Sequence, residues 1–206
     1  MVLILRARDR GAIPWKNGGG VTHEVAVHPS GSDLESFLWR VSIAEVRSAG
    51  PFSLFTGVER QMAVLSGALR VTLAGRDSVD LTPATAPLSF AGDLTVAAEP
   101  LGGSVTDLNV MTRRGHFSAQ LTPRRLRGPM ELVPGPGTTV MVALCELSLR
   151  VGEERWRLSP LDAARLERVE RCEVAEALPG TDAASASLYL ALIRPESVAL
   201  ESPQVA

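Results

Sequence analysis

Apolar and polar positions alternate along most of this chain in short runs, the period of half-buried strands and not of helices. Residues 21–27 (VTHEVAV), 37–46 (FLWRVSIAEV), 61–65, 68–73 and 108–111 are β-rich, and residues 138–149 and 187–193 continue the series. Turn formers separate them, as in Pro29-Ser30-Gly31, Ala49-Gly50-Pro51 and Pro134-Gly135-Pro136-Gly137. Many short strands punctuated in this way predict an all-β sandwich or barrel. Residues 161–169 (LDAARLERV) have mixed spacing and read as a short helix or an arginine-bearing strand, and the surrounding pattern favours the strand.

One pattern recurs. Gly75 is followed after five residues by Leu81-Thr82-Pro83, and Gly152 after five residues by Leu158-Ser159-Pro160, each behind a β-rich segment. The glycine reads as a hairpin turn and the proline as the end of a strand, since proline cannot donate to a ladder. A repeat of this size fits two related barrels in tandem. The boundary falls in residues 116–128, giving units of residues 1–115 and 116–206.

Composition narrows the function classes. The 206 residues are 45% hydrophobic, enough for one sizeable core or two small ones, and the net charge is −2 with both signs interspersed. Arg124, Arg125 and Arg127 form the densest basic cluster and read as a solvated loop, so nucleic acid is not an expected partner. No apolar run approaches the roughly 18 residues of a membrane helix, and the apolar start lacks the layout of a secretion signal. A cytoplasmic location follows as an expectation. Cys145 and Cys172 lack CxxC spacing and read as isolated thiols.

Residues 55–67 (FTGVERQMAVLSG) resemble the first cupin motif, with Gly67 as its closing glycine. The usual glutamate ligand is then Arg60, and the usual histidines fall at Ser53 and Phe55 or at Leu54 and Thr56. Around Gly92 the second motif places Thr95 at the fourth ligand position. A transition-metal site needs three or four converging His, Cys or carboxylate groups. Only His23, His28 and His116 are present, and the first two, five apart on one strand, are expected on opposite faces. No metal and no cofactor is therefore expected.

An arginine pointing into a barrel needs an anion or several acceptors, because an unpaired buried charge is costly. Strand parity places Arg40 with Ser42 and Ala44, and Asp107 with Asn109, Met111 and Arg113, while Arg60 aligns with Met62 and Val64. A pocket gathering Arg40, Arg60 and Arg113 beside Ser42, Asn109 and Met111 suits a small carboxylate, held by a planar fork of donors. The competing reading is a structural network in which Asp107 and Glu24 pair with these arginines. Upstream, Lys16-Asn17-Gly18-Gly19-Gly20 lacks the Lys-Ser/Thr ending of a phosphate loop. The glycines suit close backbone approach beside a cavity, and Asn17 suits the turn itself. Trp15 reads equally as pocket wall or core.

Taken together, Trp15 to Glu24 (WKNGGGVTHE), Leu38 to Ala44 (LWRVSIA), Gly50 to Phe55 (GPFSLF), Gly57-Val58-Glu59-Arg60 and Asp107 to Arg114 (DLNVMTRR) resemble the HutD/Ves family in order and spacing. The resemblance spans residues 13–115 specifically and is weak beyond. Thr56 and Val21 depart from it, standing where proline and threonine are usual. It implies a bicupin of the RmlC-like jelly-roll (double-stranded β-helix) type. It also implies a regulatory association with histidine utilisation and a small anionic metabolite of the urocanate or formylglutamate class as ligand. Asn17, Glu24, Arg40, Ser42, Arg60, Asp107, Asn109, Met111 and Arg113 are the expected ligand-binding residues. Two other readings stand beside the binder: a metal-independent isomerase or hydrolase using Glu24, His23 or Asp107, and an interaction scaffold forming a homodimer through uncovered sheet edges.

Overall fold

The alternating segments assemble into four antiparallel sheets in a computed structural model that describes residues 1–176 and 187–196. Among the described residues the only helix is a 3-10 turn, Ala7–Asp9. No described helix is long and apolar enough to cross a membrane.

The front barrel pairs a six-stranded sheet with a four-stranded one. The larger runs in the order Ala12–Pro14, Gly20–His28, Trp39–Val46, Val105–Arg113, Val58–Ser66, Leu88–Ala91. The smaller runs Gly50–Pro51, Val96–Pro100, Leu69–Leu73, Val79–Leu81. Met62 and Val64 pack against Leu69, Val71, Leu73, Val96 and Ala98 between the two.

The back barrel repeats the arrangement. Its five-stranded sheet is Val2–Leu5, Ala163–Glu167, Thr138–Ala143, Leu188–Pro195, Phe117–Arg124. Its four-stranded sheet is Met130–Leu132, Cys172–Glu176, Leu147–Val151, Glu154–Leu158. A separate core, with Met141, Leu147, Leu149, Leu158 and Leu166, fills it.

The barrels meet through the outer faces of their larger sheets. Trp39, Val41, Ile43, Ala63, Leu108 and Val110 join Val140, Val142, Tyr189 and Ala191 in a third apolar cluster. Period 2 explains the division, since Ala63 faces the partner barrel while its neighbours Met62 and Val64 face their own interior.

Both repeated glycines sit at hairpins with left-handed backbone, Gly75 at φ +74° and Gly152 at φ +59°. In each hairpin the leucine six residues beyond the glycine pairs with a leucine upstream, Leu81 with Leu69 and Leu158 with Leu147. The strand expected in residues 161–169 forms as Ala163–Glu167, bracketed by positive φ at Leu161 and Arg168.

Three features differ from the expectations. Residues 138–149 form two strands, because after Ala143 the chain leaves one sheet and enters the other at Leu147. The apolar run from Val140 to Cys145 continues past the end of the first strand and so hides the crossing. Val2–Leu5, assigned to the front unit by its position in the sequence, pairs with Ala163–Glu167 of the back barrel. Residues 117–124, inside the expected boundary segment, form a full strand whose Pro123 is tolerated at the sheet edge.

Candidate functional site

The inner face of the six-stranded sheet carries the polar residues, in rows set by register. Met111 lies between Arg40 and Arg60, Asn109 between Ser42 and Met62, and Asp107 between Ala44 and Val64. Glu24 extends the second row beside Ser42, and Phe90 ends the first beside Arg60. Arg40 and Arg60 therefore stand two strands apart, with backbones roughly 10 Å from each other. All of these except Glu24 are buried.

Arg60 is 5% exposed and is enclosed by three phenylalanine rings, with its guanidinium carbon 4.9 Å from the centroid of Phe90, 5.2 Å from Phe52 and 5.6 Å from Phe55. Such contacts hold a cation without neutralising it. Its Nη2 donates to Asn109 Oδ1 at 3.0 Å and its Nη1 reaches the Ser53 carbonyl only at 3.5 Å. Its Nε is buried with no acceptor. Burial pulls Arg60 down to about 10, with Asp107 opposing that change and Arg40 reinforcing it. It remains charged at neutral pH.

The carboxylates near these cations compensate them incompletely. Glu24 Oε2 accepts from Arg40 Nε at 2.9 Å, yet the Glu24 side chain is 36% exposed. Asp107, 1% exposed, accepts a hydrogen bond from Asn109 Nδ2 and makes no ion pair. Burial pushes Asp107 up to about 7 against the opposing pull of Arg60 and the Asn109 bond. Asn109 thus stands between the buried carboxylate and the buried guanidinium, bonded to both.

Six of the nine expected residues converge on this interior: Arg40, Ser42, Arg60, Asp107, Asn109 and Met111, with Glu24 at its rim. Met111 contributes apolar surface, packed with Val27, Phe37, Val58 and Phe55. Two residues lie elsewhere. Arg113 turns to the end of the sheet, where its Nε donates to the Phe37 carbonyl at 3.1 Å and its Nη2 to the Glu35 carbonyl at 2.7 Å. Asn17 lies in an exposed turn and accepts from the Gly19 amide at 3.0 Å. The expected three-arginine pocket is thus a two-arginine interior, because a neighbouring loop supplies carbonyl acceptors to the third.

The aromatic enclosure was not read from the sequence. Phe52 and Phe55 lie in the stretch Gly50 to Phe55, which the sequence marks only by its family resemblance, and tertiary contact shows that both rings meet Arg60. Trp15 combines its two readings. It packs against the front core, touches Phe52 edge-on at 6.3 Å, and donates from its indole nitrogen to Thr22 Oγ1 at 2.8 Å.

The histidine expectation changes in one respect. A register shift between Glu24 and Ala26 brings His23 opposite Ile43 and His28 opposite Trp39, so both lie on the outer face. They remain four positions apart along the partner strand, and His28 stacks on Trp39 at 5.6 Å. Among the described residues no three His, Cys, Asp or Glu groups gather as a metal would require. A cupin metal does not fit these side chains, because the position that resembles the glutamate ligand holds a guanidinium with an orphaned nitrogen.

The HutD family model matches residues 7–182. A protein of Pseudomonas putida, described as an uncharacterized 21.2 kDa protein in the hutC 3′ region, is 36% identical over 80% of this chain and 86% of its own length. Protein Ves of Citrobacter koseri is 40% identical over 52% of this chain and 56% of its own. The structure of HutD from Pseudomonas fluorescens SBW25, determined in a formate condition, superposes with a TM-score of 0.79 at 26% identity, covering 96% of this chain and 100% of that one. Oxalate decarboxylase of Bacillus subtilis, a cupin, has a TM-score of 0.62 at 8% identity over 93% of this chain and 76% of its own, a likeness of fold alone.

Proposed function

The chain belongs to the HutD family, and from that membership we propose that its front barrel binds a small carboxylate metabolite on Arg60 and Arg40 in the service of regulating histidine utilisation. The observation that carries this reading is Arg60, a buried guanidinium with an orphaned Nε and no carboxylate in contact. An unpaired buried cation is costly, and a planar carboxylate offers two acceptors to its fork. Arg40 adds a second charge and Phe52, Phe55 and Phe90 exclude water from around the first. The pathway assignment draws on the relative described by its place beside hutC, and the ligand class of urocanate or formylglutamate agrees with the chemistry of the two arginines.

Calorimetry with urocanate and with N-formylglutamate tests the reading, with a neutral amide analogue as control. Saturable heat with either acid and none with the control is expected. Absence of heat at millimolar acid, in a sample with a cooperative melting transition, removes it.

A second reading has one observation in its favour. Asp107 titrates near neutrality beside a cation, as a general acid or base must. Turnover of either acid that vanishes in Asp107→Asn supports a metal-independent isomerase or hydrolase, and its absence leaves a binder.

A further inference from the structure

This inference rests on the carboxylate-binding reading and concerns what accompanies binding. We propose that an anion arriving at Arg60 makes the barrel take up one proton at Asp107, with Asn109 as the link between the two groups.

The geometry is a three-membered chain. Asp107 accepts from the Asn109 amide nitrogen, and the Asn109 amide oxygen accepts from Arg60 Nη2 at 3.0 Å. Charged groups reach Asp107 from few directions. Arg60 stands on the strand to one side, and Arg40 with its partner Glu24 on the strands to the other. The sheet packed across the barrel presents apolar residues, Leu69, Val71, Leu73, Val96 and Ala98. Arg60 is therefore the group that keeps the Asp107 carboxylate ionised in this interior, with Asn109 assisting.

A carboxylate bound at the free Nε edge neutralises Arg60. Asp107 then keeps the full desolvation cost of its charge and loses the cation that offset it. Its affinity for a proton rises, and solvent supplies the proton. In the free protein Asp107 titrates at about 7, so above that pH it is ionised before binding and protonated after it. One proton enters with each anion, and affinity falls by up to about tenfold per pH unit. Well below that pH Asp107 is already neutral in both states, so no proton enters and affinity is flat.

The probe is N-formylglutamate, whose carboxyls stay ionised throughout this range. Titrations of the full chain at about pH 8, in HEPES and in Tris buffers that differ in ionisation heat and bring no phosphate or carboxylate competitor, count protons directly. Uptake approaching one proton per ligand is expected there, and close to none at about pH 5.5. Asp107→Asn is expected to bind with no uptake and with affinity independent of pH. A ¹³C NMR titration of the Asp107 carboxyl in the unmodified protein, with and without ligand, gives the same answer if that variant does not fold. Binding at about pH 8 without proton uptake overturns the coupling and leaves the carboxylate reading intact. Uptake that persists in Asp107→Asn assigns the proton to another group and also overturns it. No binding at any pH removes the carboxylate reading, and the coupling with it.

Discussion

Gln61 of the front barrel and Leu121 of the back barrel are joined as if they were ladder partners. The Gln61 amide oxygen accepts from the Leu121 backbone nitrogen at 2.6 Å, and its amide nitrogen donates to the Ala119 carbonyl at 2.6 Å. A side-chain amide thus completes two hydrogen bonds of the Phe117–Arg124 strand, at the edge of its sheet. It does so where the outer faces of the two larger sheets already share a core.

Replacing Gln61 by leucine removes both bonds and leaves a backbone donor and acceptor half-buried. A loss of about 1–3 kcal/mol in chemical denaturation is expected. Gln61→Glu retains the acceptor but cannot donate to Ala119, so it destabilises too. A change within about 0.5 kcal/mol for the leucine variant shows that water replaces the bridge without cost.

Asp107 makes stability depend on pH in an unusual direction. Its carboxyl is raised in the fold, so between the unfolded value of about 4 and the folded value of about 7 the native state holds more protons than the unfolded state. Its contribution is greatest below that window and is lost as pH rises through it. Asp107→Asn removes the loss and is expected to be more stable than the unmodified protein at about pH 8, on the order of 2–4 kcal/mol, with the difference shrinking towards pH 4. Denaturation curves of the pair across that range check the sign. A variant that is less stable at every pH shows that Asp107 is needed in its charged form.

Arg60→Met separates stability from function. It replaces a buried cation, which lacks one acceptor, with an apolar chain that suits the three rings around it. Below about pH 6, where Asp107 is protonated and needs no compensating cation, stability is expected to hold to within about 1 kcal/mol, while carboxylate binding is lost at every pH. Melting curves and calorimetry on one preparation measure both. A severe loss of stability assigns Arg60 to the fold.

Gly92 sets the position of the aromatic segment. A methyl group there meets the Phe55 carbonyl at 2.6 Å and the Val58 carbonyl at 3.0 Å, both backbone atoms of the segment entering the Arg60 strand. Gly92→Ala is expected to push Phe55 off Arg60 and weaken carboxylate binding about tenfold or more, read by calorimetry. Unchanged affinity shows that the ring does not shape the site.

Much of the site was legible because strand parity is a local rule. Arg40 and Ser42, and Asp107, Asn109 and Met111, share an inner face as alternation requires. Parity failed at His23 and His28, where a bulge adds one residue and moves the second histidine to the face of the first. It also placed Arg113 in the pocket, where the backbone position fits the row but the long side chain turns away to carbonyls in the loop at Glu35 and Phe37.

By itself the sequence determined the β class, the hairpins at Gly75 and Gly152, and the arginine at the position that resembles the glutamate of the first cupin motif. These depend on period, on turn chemistry and on residue identity, all of which are local. Only the tertiary structure decided that Val2–Leu5 closes the back barrel, that residues 138–149 divide between two sheets, and that Phe52, Phe55 and Phe90 converge on one guanidinium. Those outcomes depend on which distant segments share a ladder or a core. Burial follows from that pairing, and with it the displaced proton affinities of Arg60 and Asp107.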